Sequence, residues 1–256
     1  MSYYRKNSVG IIVAHFDLEG CIKADLVHFV NLLAQTYQNI VFVSTNLNSK
    51  AKAQLNPAIH IIIRDNIGYD FYSYKVGLDY LRENKNIFTI FLMNSSFCIL
   101  EPAKLATTFF AVDYSTIDLL GLTTSRELAY HAQSFLFRIN HSLYTSSYFE
   151  TWWKKMKPLN NRDEVIKNYE IGMSQYCIDN GFIVNSLYQP SLEAQVLAIK
   201  KKPNLYEKIK DPLTLNPTHF YWEELLSQFG VAKWELINKN PHQFDISYLN
   251  KLVRSL

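Results

Sequence analysis

A chain of 256 residues that is 48% hydrophobic can bury one large core, so a single domain over 1–256 is expected. The net charge of +3 comes without an arginine-rich run or a basic-aromatic repeat, which argues against a nucleic-acid partner. No stretch carries the ~20 continuous apolar residues that a bilayer-spanning helix needs.

Val9 to His15 reads as a buried strand, and Ile22 to Thr36 has apolar residues at helical spacing. Ile40 to Ser44 is the next strand; Thr45 to Asn56 is a polar loop or short helix. His60 to Ile63 forms a strand that stops at Arg64-Asp65-Asn66, and a turn centred on Gly68 leads to a helix over Phe71 to Leu81. Ile87 to Met93 is a strand that stops at Asn94-Ser95-Ser96. Strand, glycine turn, helix and strand make a βαβ unit with both strands in one parallel sheet. Ligands of such sheets bind beyond the carboxyl ends of the strands. The polar residues Arg64, Asp65, Asn66 and Asp70 at one end, and Asn94, Ser95 and Ser96 at the other, are the main functional signal.

Pro102 starts a helix that runs to about Val112, since a proline in the first turn loses no hydrogen bond. Ile117 to Thr123 and Gln133 to Ile139 are strands. The alternation predicts an α/β fold with a mostly parallel sheet flanked by helices over 8–145. Beyond it, 146–256 is a more helical half of the same domain. There, Ser146-Ser147 caps a helix through Trp153 and Met156. Asn161 or Asp163 caps another that ends at Asn180-Gly181. Phe182 to Leu187 is a short strand, with helices at Phe220 to Gln228 and Ile246 to Leu256.

Cys21, Cys98 and Cys177 are widely spaced, which excludes a zinc pattern and points to a reducing compartment. MSYYRKNSVG leads directly into a strand, so no signal peptide and a cytoplasmic location are expected. Lys200 to Lys202, with Lys208 and Lys210, reads as a solvated face. The alternative is peripheral contact with an anionic surface at the cytoplasmic face of the inner membrane.

The segments RDNIGYDFYSYKVGLDYL, IFLMNSSF, LGLT, HAQSFLFRI, SSYFETWW, VIKNYEIGMSQ and NPTHFYWEELL occur in this order. Their sequence and order resemble the rhamnan synthesis F family of bacterial surface-polysaccharide proteins, from about residue 8 to about 241. The resemblance implies a GT-A-like (Rossmann-like) glycosyltransferase with the nucleotide-sugar site in the α/β part and the acceptor side behind it. The implied reaction moves rhamnose or another hexose from a nucleotide-diphosphate donor to a lipid-linked or oligosaccharide acceptor. The product would be a lipopolysaccharide O-antigen or capsule glycan. The family usually has Asn-Asp-Ser after the central strand, where this chain has Asn94-Ser95-Ser96. The acidic residue that would hold a divalent metal is missing, so no metal ligand is assigned. Either the chemistry needs no metal, or Mn²⁺ or Mg²⁺ is held by another carboxylate.

In that layout Ala14, His15 and Phe16 face the nucleotide: a small residue admits the backbone and an aromatic stacks on the base. Asn66, Gly68 and Asp70 form an N-x-G turn beneath it; a plain turn glycine and a helix N-cap at Asp70 are the structural alternatives. Arg64 reads as an ion pair with Asp65 or Asp70. Asn94, Ser95 and Ser96 meet the diphosphate or merely cap the next helix. His131, Gln133 and Ser134 face donor sugar or acceptor, with a structural histidine as the alternative. Glu170 is the candidate base, because a carboxylate desolvated among Tyr169, Ile171 and Met173 has a raised pKa; an ion pair with Lys167 competes with this. Thr218 caps a late helix on which His219 and Trp222 share a face, for the diphosphate and for stacking on a sugar, or for core packing. Glu170 and His131 are the expected catalytic pair, and a lone placed base favours inversion. The alternative is a non-catalytic relative that binds nucleotide sugar or glycan as a partner in polysaccharide assembly.

Overall fold

The computed structural model describes residues 6–204, 207 and 210–256. Lys208, part of the basic cluster, lies outside the described residues. The strands are β1 (Val9–His15), β2 (Asn39–Ser44), β3 (His60–Ile63), β4 (Thr89–Asn94), β5 (Phe97–Ile99) and β6 (Leu119–Gly121). They continue with β7 (Thr124–Ser125), β8 (His131–Ala132), β9 (Leu136–Ile139), β10 (Val184–Ser186) and β11 (Val231–Lys233).

Seven of them form one sheet in the order β10-β6-β9-β4-β1-β2-β3. The pairs β1–β2, β1–β4, β2–β3 and β6–β10 are parallel, and only β9 runs antiparallel, between β4 and β6. The mostly parallel α/β sheet expected from the alternation is therefore the one found. β1 and β4 are apolar along their length and buried throughout, because helices cover both faces of the sheet.

On one face, helix 24–34 and the late helices pack with Ile11, Val13, Phe42, Phe91 and Met93. On the other, helix Tyr69–Leu81, helix Ser147–Lys155 and the segment Arg162–Asp179 pack with Ile12, Ala14, Leu92 and Phe137. Gln133 to Ile139 is not one strand. His131-Ala132 pairs with Thr124-Ser125, the chain turns at Ser134-Phe135, and only Leu136–Ile139 joins the main sheet. The helix after Pro102 passes into a π-helical turn, Ala106–Phe110. Helix Leu192–Lys201, capped by the Ser191 hydroxyl, is absent from the sequence expectations.

β5 and β11 form a separate antiparallel pair just past the carboxyl end of β4. Two anchors set it there. Buried Asp25 accepts the Ile99 N–H at 2.9 Å. Gly230, at φ +68, accepts the N–H groups of Leu100 and Glu101 at 2.8 and 3.0 Å. A Cβ at Gly230 would lie 2.3 Å from Glu101 Cβ, so the close approach requires glycine. Among the described residues no helix is long and apolar enough to cross a membrane.

Candidate functional site

The carboxyl ends of the parallel strands converge, and the polar residues read from the sequence meet there. The Arg64–Tyr69 turn brings Asp70 back over β4. Gly68 is the N-cap of helix Tyr69–Leu81 at φ +70, and Tyr69 also has a positive φ, 54°. Asp70 is therefore not the N-cap: it sits in the first helical turn, where Oδ1 accepts its neighbour Phe71's N–H at 3.0 Å. Its Oδ2 accepts from Asn94 Nδ2 at 2.6 Å, across the βαβ unit. Asn94 Oδ1 accepts from the Ser96 N–H at 3.0 Å and from the Ser96 hydroxyl at 2.5 Å. Asn94 and Ser96 thus hold the site rather than cap a helix.

Arg64 makes no ion pair with Asp65 or Asp70. Its guanidinium clasps the turn, donating to the carbonyls of Asp65, Ile67 and Tyr69 at 2.6, 2.5 and 2.5 Å and to Ser73 Oγ. The donor fork is filled by backbone oxygens that a tight turn points inward.

Glu170 reaches the site from the helix expected after Asn161, through a π-helical stretch that was not expected. Asn161 caps helix Arg162–Val165, which passes into a π-helical segment, Ile166–Ile171. Such insertions shift side chains off the α-helical stripe and recur at functional sites. Glu170 Oε2 accepts from the Ser134 hydroxyl at 2.7 Å, and Oε1 lies 3.5 Å from His131 Nε2. His131 Nδ1 is 2.7 Å from the Ala129 carbonyl oxygen. With an oxygen acceptor at each ring nitrogen, His131 fits the imidazolium form, and neither nitrogen is left to accept a substrate proton.

The pKa directions divide the two carboxyl groups. Burial pushes the Asp70 carboxyl up, and the like charge of Glu170 adds to this, against the hydrogen bond from Asn94. Burial also pushes Glu170 up, but His131, Ser134 and the charge of Lys233 outweigh it and hold the carboxyl below its usual range. The raised pKa expected at Glu170 therefore belongs to Asp70. The partner of Glu170 is His131, not Lys167. Burial lowers the His131 pKa, and the Glu170 and Ala129 oxygens more than reverse this, leaving it raised.

Lys233, absent from the sequence expectations, completes the cluster. Antiparallel pairing sets Phe97 opposite Lys233, and Lys233 Nζ donates to Ser96 Oγ at 2.7 Å. The ammonium also lies 4.5 Å from the centre of the Phe135 ring. Burial lowers its pKa to about 8, against the raising charges of Glu170, Asp70 and Glu235.

At the neighbouring strand ends, Phe16 is exposed and its N–H is 3.4 Å from Ser95 Oγ. Ala14 is buried, and its carbonyl accepts the Ser95 N–H. His15 is a structural histidine: Nδ1 pairs with Ser44 Oγ at 2.8 Å, and burial lowers its pKa. Asn66 is exposed on the turn. Gln133 accepts from the Thr123 hydroxyl at 2.8 Å and approaches Asn216 Oδ1 at 3.5 Å.

Two expectations for the late helix fail. Asn216, not Thr218, is the cap: Asn216 Oδ1 accepts from the Thr218 N–H at 3.1 Å and from its hydroxyl at 2.8 Å. The chain breaks at Tyr221 into helices Pro217–Phe220 and Trp222–Phe229, so His219 and Trp222 share no helix face. Trp222 is buried in the core and cannot stack on a sugar. His219 is buried against His242 and Glu235, and burial lowers its pKa to about 4.

The residues at the end of β4 do not fit a divalent cation. Ser95 supplies only a hydroxyl, Asp70 is engaged by Asn94, Glu170 by Ser134 and His131, and a lysine ammonium sits on Ser96. Among the described residues no group of three or more His, Cys, Asp and Glu side chains could hold a metal ion.

The fold and this site together define an α/β protein with its polar centre at the carboxyl ends of parallel strands. The profile of the rhamnan synthesis protein F family matches residues 40–209, and the chain belongs to that family. It is similar to the uncharacterized protein y4gN of Sinorhizobium fredii, 26% identical over 187 residues, covering 70% of this chain and 48% of that protein. It is also similar to the virulence protein VirA of Vibrio anguillarum, 27% identical over 196 residues, covering 70% of this chain and 62% of VirA. The chain thus spans about half to three-fifths of these relatives' length. Among solved structures, a cytidylyltransferase of Leptospira borgpetersenii has 12% identity and a TM-score of 0.43, covering 82% of this chain and 98% of that one. That likeness concerns architecture only.

Proposed function

We infer that the protein is a glycosyltransferase of bacterial surface-glycan synthesis, moving a hexosyl group from a nucleotide-diphosphate sugar to a glycan or lipid-linked acceptor. Family membership supports the glycan, and the Asp70–Asn94–Ser96 network at the end of the central parallel strand carries the reading of the site. Phe16, exposed beside Ser95, offers a face on which a base can stack.

Two carboxyl groups whose environments push their pKa values apart divide the labour of acid–base chemistry. Asp70, raised and half-buried, is the proton acceptor for the attacking hydroxyl. Glu170, lowered and held at both oxygens, keeps His131 charged and Ser134 oriented. The base assignment thus moves from Glu170 to Asp70, and His131 becomes a positioning residue. One base without a second carboxylate free to act as nucleophile supports inversion. A cavity of about 140 Å³ lined by Arg126, Tyr130, Asn185, Tyr188 and Gln189 is the acceptor side. Amides beside tyrosines suit a sugar.

The test supplies UDP-, dTDP- and GDP-hexoses with a rhamnose-containing oligosaccharide and follows transfer and product anomer by NMR. Asp70→Asn is expected to cut kcat by about 100-fold or more while nucleotide affinity is kept. Full turnover in Asp70→Asn would remove it as base, and nucleotide binding without turnover in the native protein would favour a non-catalytic binding relative.

A further inference from the structure

We propose that Lys233 supplies the positive charge for the nucleotide diphosphate, so that Ser95, Ser96 and Lys233 form a phosphate site that works without a divalent metal. The inference rests on the nucleotide-sugar reading above and goes further by naming what neutralises the leaving group.

Four observations carry it. The first is position. Lys233 is held by β5–β11 pairing just beyond β4, and its ammonium sits on Ser96, next to Ser95.

The second is donor accounting. An ammonium has three N–H donors. Among the described residues Lys233 donates one hydrogen bond, to Ser96, and forms no ion pair with Asp70 or Glu170, although both carboxyl groups face it. Two donors remain for a ligand, beside the Ser95 hydroxyl.

The third is orientation. Phe135, lying under the ammonium, limits its rotamers. The N–H of Trp234, the next residue, donates to the Ser96 carbonyl at 3.2 Å and fixes the backbone on both sides of the contact.

The fourth is charge balance. Asp70, Glu170 and Glu235 act on the ammonium as opposite charges, and Arg162 with the His131 imidazolium beside Glu170 completes the balance, so the cluster without ligand needs no further cation. Protonation of Asp70, by accepting the hydroxyl proton, would leave Lys233 free to follow the departing diphosphate. A partly desolvated lysine is more strongly paired with phosphate oxygen than one in water.

Calorimetric titration of the full chain with UDP, dTDP and GDP, in EDTA and again with Mg²⁺ or Mn²⁺, is the test. The native protein is expected to bind one diphosphate in EDTA with an affinity that either metal changes by less than about threefold. Lys233→Met is expected to weaken that diphosphate by about 30-fold or more, and Lys233→Arg by far less, because truncating one partner of a buried charge contact is costly. The matching nucleoside monophosphate should lose less, and native affinity should fall as pH rises past about 8. Diphosphate binding that requires metal, or Lys233→Met that binds as the native chain does, overturns the proposal and leaves the nucleotide-sugar reading standing. The EDTA comparison on the native chain decides even if Lys233→Met does not fold. No binding of any diphosphate under either condition removes the nucleotide-sugar reading and this proposal together.

Discussion

Arg138 and Lys233 stand at opposite ends of the central sheet, and each is a cation among polar groups. Arg138, 1% exposed, lies under the amino end of β4. Its Nε donates to Asn140 Oδ1 at 2.9 Å, Nη1 to the Val112 carbonyl, and Nη2 faces Asp113. The guanidinium also lies against the rings of Phe91 and Tyr114. Lys233, at the carboxyl end, makes one hydrogen bond among the described residues and no ion pair with the three carboxyl groups whose charge reaches it, Asp70, Glu170 and Glu235. A charge tied by several hydrogen bonds to its own chain holds architecture, whereas one with donors left over is placed for something else. The Arg64 turn belongs with Arg138: its donors are spent on three carbonyls and Ser73.

The comparison breaks first at Arg138. Arg138→Met is expected to lose about 3 kcal/mol of stability in urea denaturation, because buried Asn140 Oδ1 would be left without a donor and the guanidinium's contact with the Val112 carbonyl would be lost. Nucleotide affinity of the folded fraction should not change. A variant as stable as the native chain would mean that a buried guanidinium bonded to its own chain is no guide to structural duty here.

The turn is the next place to look. Gly68→Ala puts a Cβ 2.6 Å from Tyr72 Cβ and 3.0 Å from the Pro158 backbone, at φ +70. It is expected to cost about 2 kcal/mol, read as a lower urea midpoint with unchanged slope. It should also lower kcat, since the turn delivers Asp70 to Asn94. Loss of stability with Asp70 function intact would separate the turn from the site.

The half of this comparison that lies in the βαβ unit was legible from sequence. Short β-branched runs bounded by polar residues mark β1 to β4, and a glycine turn placed Asp70 near Asn94 because βαβ connectivity leaves few arrangements. Lys233 was not legible. It sits on a three-residue strand, VAK, too short to show alternation, and its partner Ser96 is 137 positions away. Glu170 was found for the wrong reason. Its apolar neighbours suggested a desolvated base, but the π-helical segment turns it into a hydrogen-bonded cluster that only the folded chain brings together. Trp222 failed because i, i+3 reasoning assumes an unbroken helix, and the break at Tyr221 carries no glycine to announce it.

The smallest expected effect sharpens the comparison most, because it concerns a charged pair inside the site itself. Glu170 is held below its usual value of 4.5, so its contribution to stability is present above that pH and is lost as pH falls through the folded value. His131 is raised above 6.5, so its contribution is full below that pH and is lost as pH rises through the folded value. The pair therefore stabilises most between pH 4.5 and 6.5. Asp70 acts in the same sense: its carboxyl is raised partly by Glu170, so above its ordinary 3.8 the Glu170 charge costs the folded state something, and removing it relieves that cost. Glu170→Gln is thus expected to lower stability by about 1 kcal/mol at pH 5.5, and by less at pH 8.5, in parallel thermal melts. A difference that stays flat across this range would mean that His131 is not charged in the folded protein. Glu170 would then be holding Ser134 alone, and the division of roles between Glu170 and Asp70 would lose its support in charge.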